Sequence, residues 1–177
     1  MKTTSLLRLL ILAVALMTPA CGTNKSSGDA PPEAQPTTAV VTLASVVHET
    51  LPANTVITGY DVTVSLPAGV TVKSTTPPQT DPGVVTASGQ ATGSSLAAVY
   101  TRATGTVPGK VRILIVSGNG MNPGEFSKVT CNVAPGLSLT QATFAQPMIS
   151  ISGYDIGTNS TVDLTGYLSV TESVVIQ

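Results

Sequence analysis

Between Val56 and Leu66 the chain alternates: Val56, Thr58, Tyr60, Val62, Val64 and Leu66 share one phase. Gly59, Asp61, Thr63 and Ser65 occupy the other, with Ile57 out of step. A period of two sends successive side chains to opposite faces, so such a run buries one face only as a β-strand. Further strand candidates are Val40–Val47, Val70–Ser74, Val84–Ala87, Leu96–Arg102, Lys110–Ser117, Glu125–Val133, Met148–Ser152 and Leu168–Val175. Turn formers separate them, among them Pro67-Ala68-Gly69, Pro77-Pro78, Asp81-Pro82-Gly83, Pro108-Gly109, Gly118-Asn119-Gly120, Asn122-Pro123-Gly124 and Pro135-Gly136. Short strands punctuated about every 8–15 residues predict a sandwich or barrel, and the expected fold is all-β, an antiparallel β-sandwich over residues 39–177. Val111–Val116 is apolar on both phases after Arg112. It predicts a central strand covered on both faces at its far end, with Lys110 and Arg112 limiting edge pairing.

The front of the chain follows other rules. Lys2 and Arg8 lead into the apolar run Leu6–Met17 and a small residue, Ala20. This is the layout of a secretory signal peptide over residues 1–20, its apolar stretch too short to span a bilayer. Cys21 follows directly, and the arrangement resembles the lipobox of bacterial lipoproteins, with Thr18 where that pattern usually has Leu. The resemblance implies a lipid-bearing Cys21 as the mature N-terminus. Gly22 stands where inner-membrane retention in many diderm bacteria uses Asp, so the implied address is the outer membrane or cell surface. Residues 21–38 form the lipidated Cys and a linker whose Gly22–Thr37 stretch, GTNKSSGDAPPEAQPT, has no aromatic or branched aliphatic residue and too little apolar surface to offset ordering. Such a tether reaches about 20–25 Å on average and about 50 Å when stretched.

Composition excludes several function classes. Charged residues make up 10% of the chain and its formal net charge is −1, with no basic cluster, which argues against a nucleic-acid partner. With Cys21 acylated, Cys131 is the only thiol left and no intrachain disulfide can form. Cys131 shares a phase with Val129 and Val133 and is expected in the core. The single His48 has no Cys or carboxylate cluster to join, and no Gly-x-Ser-x-Gly elbow occurs. The expectation is therefore a protein that is not an enzyme and needs no cofactor or metal. Asp155, Asn159 and Asp163 offer oxygen ligands for Ca²⁺, but without EF-hand spacing, Gly or terminal Glu, and a plain polar loop is the preferred reading. Trp is absent and six aromatics are present, of which only Tyr154 and Tyr167 flank a polar loop, so a sugar-stacking platform is poorly provided. Function concentrates in loops on rigid scaffolds. The candidate contacts are therefore Tyr154, Asp155, Asn159, Asp163 and Tyr167 around the Gly153–Gly166 loop, with Asn119 and Asn122 in the Gly118–Gly124 loop.

Thr58–Val72 reads TGYDVTVSLPAGVTV, a Gly-Tyr-Asp strand followed by a Leu-Pro-x-Gly-Val turn. Gly109–Ser117 reads as a buried strand, Gly118–Pro123 as a short loop, and Gly124–Val133 as the next strand, with Phe144 in the later Gln141–Ile151 segment. This order resembles the cohesin-like, carbohydrate-binding-module superfamily of jelly-roll sandwiches. The resemblance implies a strand carrying Phe144, packing and a turn-side hydrogen bond for Tyr60 and Asp61, and a protein-binding or scaffold module. Cohesins bind dockerins through one sheet face, and no dockerin loop occurs in this chain. A lipid-anchored module with a protein partner is thus the leading expectation. A carbohydrate-binding surface protein taking a polysaccharide and a structural envelope component are the competing ones.

Overall fold

The alternating segments become ten strands in the computed structural model, which describes residues 37–177. They are β1 (Thr37–Val47), β2 (Thr55–Ser65), β3 (Val70–Val72), β4 (Val85–Ala87), β5 (Ser95–Thr101), β6 (Lys110–Met121), β7 (Glu125–Val133), β8 (Met148–Asp155), β9 (Ser160–Asp163) and β10 (Leu168–Ile176). Single 3₁₀ turns occur at Gly89–Ala91 and Gln141–Thr143. The expected signal peptide, Cys21 and the linker up to residue 36 lie outside the described residues. Thr37 and Thr38, assigned above to the linker, are the first residues of β1.

Two antiparallel sheets pack face to face. One runs β10-β1-β7-β3, with β4 also on β7; the other runs β5-β6-β2-β8-β9. β3 lies opposite Val133–Cys131 and β4 opposite Val129–Ser127, so together they form one interrupted edge. Most connections cross from one sheet to the other, and the result is an all-β sandwich. β9 is the strand that the alternation did not predict, because its sequence Ser-Thr-Val-Asp has one apolar residue and lies at an edge.

Inward residues of both sheets build the core, including Val41 and Leu43 on β1, Val62 and Val64 on β2, Ile113 and Ile115 on β6, and Val129 on β7. At its centre Tyr60 from one sheet stacks on Phe126 from the other, ring centroids 4.1 Å apart and planes 10° from parallel. The Tyr60 hydroxyl lies 2.8 Å from Oγ of Ser45, which accepts the Gly124 amide at 3.1 Å. A buried polar tip is thereby satisfied inside an otherwise apolar layer. Ile57 looked out of step because a bulge falls between Ile57 and Gly59. The extra residue flips the phase, so Ile57 points inward and Thr58 does not.

Three expectations are corrected. β6 is central, between β5 and β2, but within Val111–Val116 only Val111, Ile113 and Ile115 are buried, while Leu114 and Val116 face solvent. Among the described residues no helix or further sheet covers that side, as they form only two layers. Phe144 is buried at the end of the 3₁₀ turn in the β7–β8 connection, ahead of β8 rather than within it. Asp61 does not serve a turn; it pairs across strands with Arg112, whose Nε donates at 2.9 Å.

Cys131 sits on β7 between Ala39 and Val72, fully buried, and burial pushes its thiol up to about 12. Native protein should therefore resist a thiol reagent such as a maleimide at pH 7.5 and react only after denaturation, since the thiolate is the reactive form. Cys131→Ala should cost about 1–2 kcal/mol in a denaturant titration. Labelling of native protein at the rate of a free thiol would contradict this placement.

Candidate functional site

Strand register lays out the outer face of the β5-β6-β2-β8 sheet row by row. The first row is Ser95, Val116, Gly59, Ser152; the second Ala97, Leu114, Asp61, Ser150; the third Val99, Arg112, Thr63, Met148. Four strands about 4.8 Å apart and rows two residues apart make this a patch roughly 14 Å wide and about 20 Å tall once Thr101, Lys110 and Ser65 are included. Leu114 is 45%, Val116 50% and Met148 63% exposed. Apart from Arg112 and Lys110, the remaining side chains are small or of moderate size. A Cβ at Gly59 would come within 2.7 Å of Ser152 Oγ, so glycine there keeps the surface flat where β2 and β8 approach.

One ion pair crosses this face. The Arg112 guanidinium grips both Asp61 oxygens and holds that carboxyl below the usual carboxylate range, mainly through the side-chain hydrogen bond. The pair is solvent-accessible, with side-chain exposures of 65% and 31%, so it adds little stability. It does fix two opposite charges near the middle of a face that mixes exposed apolar residues with small polar ones.

The residues proposed from sequence fall into separate places. Tyr154, Asp155 and Asn159 meet at one turn, where the Tyr154 hydroxyl bonds to the Asn159 side-chain carbonyl. Asp155 Oδ1 accepts the Gly157 amide at 2.8 Å and Oδ2 the Thr158 hydroxyl at 2.8 Å, and the Thr158 hydroxyl heads the causes that lower its pKa. Asp163 accepts the Thr165 amide at 2.9 Å. Asp155 pairs with Ser160 and Asp163 with Ser152, so the two carboxylates stand about 10 Å apart along β9, each serving its own turn. They do not converge on one cation. Tyr167 lies elsewhere: it packs against the core, and its carbonyl accepts the His48 amide at 3.1 Å. Asn119 and Asn122 are exposed, but β6 continues to Met121, so the Gly118–Gly124 loop shrinks to a three-residue crossover after a bulged strand end.

Two features were missed from sequence. The open face was hidden by reading the double-phase run Val111–Val116 as doubly covered. Glu172 was passed over inside Leu168–Ile176, where Leu168, Val170, Glu172 and Val174 share one phase. A carboxylate in the apolar phase of an alternating strand was the available signal, and the side chain is 7% exposed. Comparisons with family models, with curated proteins and with solved structures find no match to this chain.

Proposed function

We propose that this chain is a non-catalytic, lipid-anchored module of the bacterial envelope whose sandwich binds a protein partner through the open face of β5, β6, β2 and β8. The observation that carries this reading is the flat surface on which Val99, Leu114, Val116 and Met148 lie exposed around one Arg112–Asp61 pair. Contiguous exposed apolar patches larger than a few hundred Å² and rimmed by polar residues mark interaction sites. The cohesin-like resemblance supports the same mode, since that family engages partners through a sheet face. Cys21 and the linker supply the tether, with the outer membrane or cell surface as the address.

The reading predicts a separable pair of phenotypes. Cys21→Ser should move the protein from the membrane fraction to the soluble one without altering partner capture. Leu114→Lys and Val116→Asp should each weaken capture of an envelope protein at least tenfold, about 1.4 kcal/mol, while leaving the melting temperature within a few degrees. Asn119→Ala and Asn122→Ala should have no effect. If the loop variants abolish capture and the face variants do not, the face is not the docking surface. A saturable hit on a glycan array lost on Tyr154→Ala would replace the protein partner with a polysaccharide.

A further inference from the structure

On β10 the inward phase places Glu172 opposite Leu43 of β1, 7% exposed. Its Oε1 is buried and has no hydrogen-bond partner among the described residues. The β7–β8 connection passes over it, and Gln141, Phe144, Gln146 and Pro147 close a cleft of about 290 Å³ against Glu172 and its β10 neighbours. A buried carboxyl that finds no partner is strongly disfavoured as an ion, and native folds rarely leave one so. Among the described residues no Lys, Arg or His lines the cleft; the polar side chains that the connection brings to it are the neutral amides of Gln141 and Gln146. The amides of Gln141 and Gln146 and the Thr171 hydroxyl can donate as well as accept, yet none of them bonds to Oε1, and the complement missing from the lining is a positive charge.

We infer that this cleft is a binding site for a primary ammonium group, held by the Glu172 carboxylate with the side-chain carbonyls of Gln141 and Gln146 as further acceptors. An ammonium carries three donors and no acceptor, which matches this set, and Phe144 gives the alkyl stem an apolar wall. The volume admits a short alkylamine or the end of a lysine side chain. Burial alone pushes the empty Glu172 up to about 7, so near neutrality the carboxyl is part protonated. Binding then displaces that proton to solvent and leaves a carboxylate–ammonium pair, and affinity rises with pH. The site is distinct from the open sheet face and does not depend on it.

The test is an NMR titration of the purified protein, following the Glu172 side-chain carboxyl carbon and the Gln141 and Gln146 side-chain amides. n-Butylammonium and the amide-capped single residue N-acetyl-lysine methylamide are the two arms, which separate a free amine from a lysine side chain as the source. Saturable shifts with either probe, strengthening at least fivefold from pH 5.5 to pH 8 and lost in Glu172→Gln, support the site. Leu114→Lys should bind the probes as the parent does. Equal binding of n-butanol, a preference for Ca²⁺ over both amines, retention in a folded Glu172→Gln variant, or no saturable shift at all would each overturn it, the last leaving a cleft that holds water only.

Discussion

Phe126→Ala should destabilise the protein by about 3–5 kcal/mol, the range for removing a fully buried ring and leaving a cavity that relaxes only in part. For a domain of this size that is a fall in melting temperature of roughly 10–20 °C. Phe126 is entirely buried, and its ring supports Tyr60 from the opposite sheet, so the loss would be felt by both layers. Phe126→Leu should recover a good part of the loss by refilling volume. Tyr60→Phe should cost about 1–2 kcal/mol, because the stack survives and only the bond to Ser45 goes. Urea titrations of the three variants decide the matter. A Phe126→Ala loss below about 1 kcal/mol would mean that the stack is not the centre of the core.

Stability should fall as pH rises from 5 to 8, opposite to what an ordinary acidic domain does. Burial raises Glu172 from 4.5 to about 7, so between those values the folded state binds a proton that the unfolded state has released. Its contribution is complete below the unfolded value and is lost as pH passes through about 7, up to about 3 kcal/mol for a shift of this size. The lowered carboxylates act at the other end. Asp61, held by Arg112, and Asp155, capped first by the Thr158 hydroxyl, stabilise above the usual carboxylate range and lose that contribution as pH falls. An optimum near pH 5 follows. In Glu172→Gln the decline from pH 5 to pH 8 should flatten while the acid limb stays. A parent curve that is level or rising across that interval would refute the assignment, and an unchanged slope in the variant would place the proton elsewhere.

How much of this could be read from residues alone depends on what each residue had to declare. Nine of the ten strands were legible, since alternation and Pro/Gly turns are local properties of the chain. β9 was not, because an edge strand of four residues needs few apolar positions. Tyr60 and Cys131 were placed in the core by phase, and both are there. Tyr154, Asp155, Asn159 and Asp163 were chosen for the polarity of their loop, and their polar groups turn out to satisfy their own turns.

The open face and the Glu172 cleft belong to a different level. Whether Leu114 and Val116 are covered depends on how many layers pack together, and no residue of β6 encodes that number. That Gly59, Ser150 and Ser152 flank them follows from register among strands far apart in sequence. Glu172 became an unpartnered carboxyl only because the β7–β8 connection lies over β10 and brings glutamines there instead of a cation. Alternation, turn chemistry and core phase were thus determined by the sequence itself, because they act between neighbours. Exposure, juxtaposition and electrostatic isolation were decided by tertiary structure, because each depends on what a distant segment places against the same side chain.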